Sequence, residues 1–169
     1  MRAADPARAF RDTIGRFPTG VAIVTAIGPD GPAGMTTNAL TSLSLDPLLL
    51  IVCFELHSRT LEVVRASRRF AVNILRDGDE ALAKVFASKR VGAEKFEVLT
   101  EHRWSEQHGV PVLDRALAWV ACDLRELLPG GDHEIGIGEV VRTGAPDGGG
   151  DPLVFYRGAY TALAHPHPA

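Results

Sequence analysis

One histidine, His133, stands at the start of a strand-like segment, GDHEIGIGEV, in which apolar and small residues alternate. An imidazole in this place can serve as a turn residue, a metal ligand, an acid–base group or the wall of a binding site. The preceding Asp132 could orient the ring. No second His, Cys or carboxylate stands at a recognised ligand spacing from His133, so no metal site is expected. The turn residue, the acid–base group and the binding-site wall remain as alternatives.

A stretch rich in hydroxyl groups, GMTTNALTSLSLDP, begins at Gly34. Thr36, Thr37, Asn38 and Ser42 offer hydrogen-bond donors and acceptors without a buried charge. Such groups suit the polar edge of a flat heteroaromatic ligand or a ribityl chain. An ordinary strand with one polar face has the same pattern, and strand propensity alone favours that interpretation.

The segment HSRT lies where a predicted strand gives way to a predicted helix. The hydroxyls of Ser58 and Thr60, the free backbone N–H groups and the charge of Arg59 could converge on a phosphate. A helix cap requires only Ser58, and a solvated Arg59 fits the composition equally well.

Several well-known catalytic motifs are missing from the chain. There is no phosphate-binding P-loop and no G-x-G-x-x-G followed by a plausible dinucleotide-binding unit. A G-x-S-x-G nucleophile elbow and a convincing Cys–His pair are also lacking, so covalent catalysis by a side chain is not indicated.

The composition is that of an ordinary globular protein. A length of 169 residues predicts one domain over 1–169, with a core over about 10–163. The charged fraction of 23% and the net charge of -3 provide no electrostatic reason to bind nucleic acid or membrane. Cys53 and Cys122 lie in apolar segments, which fits reduced thiols, and the longest apolar run is too short to span a bilayer. We therefore expect a cytoplasmic protein without targeting or membrane segments.

The first half of the chain predicts a helix followed by paired strands. Asp5 and Pro6 form a helix start, and Phe10, Ile14 and Phe17 share one apolar face. The runs VAIVTAIG and GMTTNALTSLSL are expected to be two strands joined by the turn GPDGPAG. The run LLLIVCFEL is expected to be a strand buried on both faces.

The second half alternates strands with two short helices. Helices are predicted after Ser58 and in DGDEALAKVFASK, with the strand FAVNIL between them. The region through EHRWSEQHGVPVLD is expected to be an irregular excursion that could lie over a site. Strands follow in ALAWVACDLRELL, in HEIGIGEVVRTG and, as a single run, in PLVFYRGAYTAL. Because strands outnumber helices and pair through short turns, the sequence predicts a mainly β protein, an antiparallel barrel with helical insertions.

Taken in order, seven segments resemble those of one known family: FPTGVAIVTA, GMTTNALTSLSLDPLLLIVCF, HSRT, FAVNIL, KFE, GDHEIGIGEV and PLVFYRGAY. The chain resembles the flavin reductase-like family, short-chain NAD(P)H:flavin oxidoreductases that serve two-component monooxygenases. The resemblance extends from Phe10 to Leu163. It implies a Greek-key split β-barrel of the FMN-binding type, assembled as a homodimer with the flavin near the interface.

The resemblance also implies an activity. Hydride would pass from C4 of NADH or NADPH to N5 of FMN or FAD, and the reduced flavin would leave for a partner monooxygenase. The cofactors carry out this redox chemistry, which explains why no protein nucleophile is needed. Two rival hypotheses are a flavoenzyme that retains FMN and acts on an organic substrate, and a non-catalytic flavin-binding module.

The family motifs imply a set of flavin contacts. The isoalloxazine ring and ribityl chain would be lined by Met35, Thr36, Thr37 and Asn38, with Ser42 nearby. Thr37 stands where the family often has a small or apolar residue, and its extra hydroxyl bears on the choice between FMN and FAD.

The remaining implied contacts lie further along the chain. Cys53 and Phe54 would lie beside the flavin, and Ser58, Arg59 and Thr60 would bind its phosphate end. Lys95 and Phe96 would lie over the cofactor. His133 would contact the nicotinamide as the catalytic-site residue, and Tyr160 would approach the same pocket.

Overall fold

The computed structural model describes residues 5–90, 92–97, 99, 103–146 and 149–164, and most of them lie in antiparallel strands. The elements of the first half are α1 (Pro6–Ile14), β1 (Thr19–Gly20), β2 (Ala22–Gly28), β3 (Gly31–Thr37), β4 (Leu40–Leu45), β5 (Leu48–Glu55), α2 (Arg59–Ser67) and β6 (Arg69–Ile74). The second half contains α3 (Glu80–Ala87), α4 (Gly92–Glu97), β7 (Trp104–Gln107), β8 (Val110–Leu113), β9 (Ala118–Gly130), β10 (His133–Gly144), β11 (Val154–Tyr156) and β12 (Ala159–Thr161).

Seven strands form the central sheet, in the order β3-β2-β6-β9-β10-β5-β4. The hairpins β2–β3, β4–β5 and β9–β10 pair locally, and the long β9–β10 hairpin lies between β6 and β5. Neighbours that are distant in sequence are typical of Greek-key connections. A second, three-stranded sheet pairs β1 with the C-terminal hairpin β11–β12.

The two edges of the central sheet are joined by a very short connection. β3 ends at Thr37 and β4 begins at Leu40, yet these strands lie at opposite edges. Two residues cannot cross a flat seven-stranded sheet, since strands lie about 4.8 Å apart. The sheet must therefore curl until its edges approach each other. The Cys53 N–H donates to the carbonyl of Ala39 at 2.9 Å, which continues the β4–β5 pairing into the link. The result is a barrel that is incomplete between β3 and β4, and we call this gap the seam.

The barrel interior is closed by aromatic side chains that face glycines. Phe54 and Phe70 pack edge to face with their centroids 5.9 Å apart. A Cβ on Gly138 would lie 2.5 Å from the Phe70 ring and 2.8 Å from the Cβ of Cys122. A Cβ on Gly136 would lie 2.7 Å from Phe54. Gly136 and Gly138 are thus required because the rings occupy the space of their missing side chains.

Of the segment EHRWSEQHGVPVLD, the first two residues lie outside the described ranges, and residues 103–114 do not form an irregular excursion, so the prediction was wrong there. It contains the hairpin β7–β8, whose two-residue turn, His108 and Gly109, has positive φ angles of 54° and 72°. β8 is buried along its whole length. The side chain of the buried Asn73 explains the docking, since its carbonyl oxygen accepts the Leu113 N–H at 2.8 Å.

Two predicted strands are each divided in the structure. The run GMTTNALTSLSL forms β3 and β4, separated at Asn38 and Ala39. The run PLVFYRGAYTAL forms the hairpin β11–β12, because Arg157 and Gly158 adopt positive φ angles of 51° and 79°. The first break is the link between the two sheet edges and the second is a two-residue hairpin turn, and hydrophobic patterning reveals neither.

Burial differs from expectation in β5 and α1. In β5 only alternate side chains, Leu50, Val52 and Phe54, are buried, so this strand has one buried face rather than two. The predicted helix α1 does form, and Asp5 caps it by accepting the Ala7 N–H at 3.1 Å. Its apolar residues Phe10, Ile14 and Phe17 are nevertheless exposed in the single chain. Within the described ranges, no helix is long and apolar enough to cross a membrane.

Packing against the glycines of β10 yields a stability prediction. Replacing Gly138 by alanine should lower the free energy of unfolding by about 1–3 kcal/mol, because the new methyl group must displace Phe70 or Cys122. Gly20→Ala is the matched control, since a Cβ there has no atom within 4 Å and the change should stay within about 0.5 kcal/mol. Urea unfolding followed by circular dichroism measures both. Equal stability of the two variants would contradict the packing explanation.

Candidate active site

A cavity of about 760 Å³ lies at the seam. Its lining comes from β3 and the link that follows it, the end of β5, the start of α2, the end of α3, Lys95 of α4 and His133 at the start of β10. The volume lies within the range of about 300–1,000 Å³ that is typical of small-molecule sites. The gap between the edge strands therefore provides the room for a ligand.

Ten of the fourteen predicted site residues line this one cavity. They are Met35, Thr36, Thr37, Asn38, Cys53, Ser58, Arg59, Thr60, Lys95 and His133. Motifs separated by up to a hundred residues in sequence are thus brought together by the curl of the sheet.

Four predicted site residues do not line the cavity: Ser42, Phe54, Phe96 and Tyr160. Phe54 points into the barrel, because side chains alternate along β5 and its neighbour Cys53 takes the outward direction. The ring of Phe96 packs against Phe86, and that of Tyr160 packs against Phe155. Ser42 is exposed on β4. The predicted cofactor contacts of these four side chains are not provided by this cavity.

The polar groups of β3 are held in place by partners in the protein. Thr36 donates its hydroxyl to a carbonyl of α3 at 2.7 Å, and the Thr37 oxygen accepts the N–H of Ala39 at 3.0 Å. The amide nitrogen of Asn38 donates to the hydroxyl of Thr19 at 3.0 Å. Among the described residues, the Thr37 O–H and the Asn38 carbonyl oxygen have no partner, so the end of β3 and the link after it present one donor and one acceptor.

The start of α2 is arranged differently from a simple capped helix. Ser58 occupies the N-cap position, but its side chain makes no capping hydrogen bond, and its hydroxyl instead lies 3.3 Å from the sulfur of Met35. The alternative that Ser58 serves only as a cap is therefore not supported. The guanidinium of Arg59 approaches Asp30 at 3.4 Å, an exposed pair of little strength. The helix start and two of its side chains, Arg59 and Thr60, line the cavity.

Lys95 is a buried cation that ties three elements together. Its side-chain nitrogen donates to the carbonyls of Gly34 at 3.2 Å and Phe86 at 2.9 Å. Burial lowers the pKa of Lys95. The ammonium group has three donors, so one remains for the cavity. Lys95 therefore fixes α4 and the end of α3 against β3 while it adds positive charge to the lining.

His133 is oriented by the preceding aspartate, as the sequence suggested. Its Nδ1 lies 2.7 Å from a carboxylate oxygen of Asp132, and this hydrogen bond lowers the pKa of Asp132. An ionised carboxylate can only accept, so Nδ1 carries a proton, and in a neutral imidazole Nε2 is then the acceptor. The next residue, Glu134, accepts from Arg65 of α2 at 2.6 Å. That ion pair holds the start of β10 beside the helix.

Sequence reasoning missed several lining residues, notably Glu55, His57, Lys89 and Arg90. Glu55 follows from the alternation that exposes Cys53 on β5. The signal for Lys89 and Arg90 was two consecutive cations at the end of a predicted helix, a position usually explained by the helix dipole. The described lining contains four cations and one carboxylate, which favours an anionic ligand. Among the described residues, no group of His, Cys, Asp or Glu is placed to hold a metal ion.

The chain matches a known protein family over most of its length. The family described as flavin reductase like domain matches residues 14–164. The chain belongs to this family. The family and the split-barrel fold predicted from the sequence are therefore confirmed, as is the assignment as an NAD(P)H:flavin oxidoreductase.

Individual relatives of this flavin reductase are similar over most of its length. The reductase component of 4-nitrophenol 4-monooxygenase/4-nitrocatechol 2-monooxygenase from Rhodococcus opacus is 41% identical, over 89% of this chain and 78% of the relative. An NADH flavin reductase from Kitasatospora aureofaciens is 38% identical, over 89% and 78%. The NADH:FAD oxidoreductase of Streptomyces globisporus, solved with NAD and FAD fragments, is 32% identical with a TM-score of 0.86. That match covers 99% of this chain and all of the other.

Proposed function

We propose that this flavin reductase uses the seam cavity to bring NADH or NADPH against FMN or FAD and releases the reduced flavin to a partner monooxygenase. The observation that carries this proposal is the meeting of three groups in one cavity: the polar residues of β3, the start of α2 and His133. The relatives that are reductase components of monooxygenases support the last step.

The lining fits a flavin nucleotide. Thr37 and Asn38 offer a donor and an acceptor for the edge of a heteroaromatic ring, and Met35 adds a polarisable surface. At the start of α2, unpaired backbone N–H groups join the hydroxyls and Arg59 as a set of donors suited to a phosphate. The volume of about 760 Å³ accommodates a ligand of this size.

The bound nucleotides supply the hydride-transfer chemistry, and the chain supplies position and charge. His133 contributes Nε2 as an acceptor suited to the amide of a nicotinamide, while Asp132 holds the ring. Lys95 contributes positive charge beside β3. No side chain acts as a nucleophile in this scheme, and burial together with the charge of Asp123 raises the pKa of Cys122 to about 12.

The protein forms a homodimer in this proposal. The outer face of β5 and β10 carries half-exposed apolar pairs, with Ile51 opposite Ile137 and Leu49 continuing the row. Cys53 lies on the same face of β5 and also lines the cavity. A second copy packed on this face would cover apolar surface and border the flavin site. We place the protein in the cytoplasm, where its two free thiols stay reduced.

Oxidation of NADH and NADPH tests the proposed function. Purified protein, freed of small molecules, should oxidise reduced nicotinamide only when FMN, FAD or riboflavin is added, because the flavin is a diffusible substrate. Absorbance at the reduced-nicotinamide band measures the rate under anaerobic conditions, with bleaching of the flavin as a second signal. A coloured protein whose rate of nicotinamide oxidation does not depend on added flavin would favour the flavoenzyme that retains its FMN. Flavin binding without any oxidation would leave only the binding module.

The role of His133 yields a separate prediction. His133→Ala should raise the KM for NADH by about tenfold, since one hydrogen bond to the nicotinamide is lost, and should leave the flavin dissociation constant within about twofold. Steady-state kinetics and flavin fluorescence measure the two quantities. The control is His108→Ala, which removes a histidine on the β7–β8 turn outside the cavity lining. A KM shift no larger than that of the control would show that His133 is only a turn residue.

A further inference from the structure

We propose that Lys89 and Arg90, which follow α3, form a second phosphate-binding subsite of the seam cavity, separate from the one at the start of α2. The ligand group is a nucleotide phosphate other than the one attached to the ribityl chain. This proposal rests on the proposed function, since it assigns a further part of the same nucleotide-binding cavity.

Both side chains line the cavity and have no partner within the described part of the chain. Neither Lys89 nor Arg90 donates a side-chain hydrogen bond or forms an ion pair there, and both residues are exposed. Of the other two lining cations, Lys95 donates to two carbonyls, and Arg59 lies at the start of α2, where it is assigned to the phosphate on the ribityl chain. The cavity lining thus contains two adjacent cations, Lys89 and Arg90, that have no side-chain partner among the described residues.

Cations that follow a helix usually bind its last carbonyls, and here two of the last four carbonyls of α3 already have donors. The carbonyl of Phe86 accepts from Lys95 at 2.9 Å. The carbonyl of Val85 accepts from both the backbone N–H of Ser88 at 3.1 Å and its hydroxyl at 2.6 Å. These two carbonyls therefore do not require Lys89 or Arg90 as a donor.

The turn that presents the two cations is held by its own hydrogen bonds. The Ser88 hydroxyl oxygen lies 3.5 Å from the N–H of Arg90, which draws the chain back towards the helix. The helix itself is tied to β3, because Thr36 donates to the carbonyl of Ala83 at 2.7 Å. Lys89 and Arg90 are thereby carried by an element fixed to the strand that forms the cavity wall.

Charge indicates what these cations bind. A single phosphate ester carries about two negative charges, which the start of α2 and Arg59 can meet. Lys89 and Arg90 add two positive charges, and Glu55 is the one carboxylate of the described lining. Such a surplus fits a second phosphate. It could come from the adenylate half of FAD or from the phosphates of the nicotinamide nucleotide, which share this chemistry.

The double variant Lys89→Gln/Arg90→Gln tests the subsite. The matched control is Lys84→Gln/Arg115→Gln, which removes two positive charges from exposed positions outside the cavity lining. Dissociation constants for FAD, FMN and riboflavin are measured by flavin fluorescence at one ionic strength without nicotinamide. The KM values for NADH and NADPH are measured with riboflavin as the acceptor. The charge-conserving variant Lys89→Arg/Arg90→Lys should behave as the unaltered protein.

Two results would support the proposal and would identify the source of the phosphate. If FAD provides it, the dissociation constant of FAD rises about tenfold in the double variant while that of FMN changes less than about twofold. If the nicotinamide nucleotide provides it, flavin binding is unchanged and the KM for NADH or NADPH rises about tenfold.

Constants that move no further than in the control variant would overturn the subsite. This failure is distinguishable from failure of the proposed function. A double variant with normal turnover and unshifted dissociation constants and KM values contradicts only the proposed subsite. A protein that binds flavin without oxidising reduced nicotinamide contradicts the function, while its FAD and FMN constants still decide whether Lys89 and Arg90 select a second flavin phosphate.

Discussion

The short connection between β3 and β4 determines how the central sheet curls and where the cavity forms. These strands are the two edges of a seven-stranded sheet, and only Asn38 and Ala39 join them. The sheet can satisfy that connection only by curling, and the hydrogen bond from Cys53 to Ala39 continues the β4–β5 pairing into the link. Because β3 does not pair with β4, the barrel stays incomplete along the seam. Unpaired edge strands are a liability in many proteins, and here the gap between them forms the cavity.

Side chains alternate in direction along the neighbouring strands β5 and β10, so each strand contributes to the core on one face and to the cavity on the other. In β5, Phe54 fills the barrel while Cys53 lines the cavity. In β10, Gly136 and Gly138 make room for the rings of the core while His133 faces outward. A shift of one residue in either strand would exchange these faces and remove both the packing and the site. The same register therefore stabilises the fold and positions the functional groups.

Sequence patterns were sufficient to predict local features and to recognise the motifs in their order. The helix at Asp5 and Pro6, the polar stretch of β3 and the orientation of His133 by Asp132 all follow from residue type and spacing. The match of ordered motifs to a known family supplied the split barrel, which hydrophobic patterning leaves as an unspecified antiparallel barrel.

The features that the sequence did not reveal depend on distant contacts. The β7–β8 hairpin relies on Asn73, a residue some forty positions from the strand that it binds. A role for Lys89 and Arg90 cannot be inferred from the sequence. Only the structure shows that they line the cavity and that Lys95 donates to the carbonyl of Phe86 at the end of α3. The family resemblance placed both Cys53 and Phe54 beside the flavin, but alternation along β5 directs only Cys53 to the cavity.

Hydrogen–deuterium exchange with and without flavin tests most directly whether the seam is the flavin site. Binding of FMN or FAD should slow exchange of the backbone amides in residues 33–39 and 57–60, which line the cavity from β3 and the start of α2. The remote β7–β8 hairpin should exchange at the same rate in both states. Slowed exchange elsewhere, with these two segments unchanged while fluorescence reports bound flavin, would contradict the account.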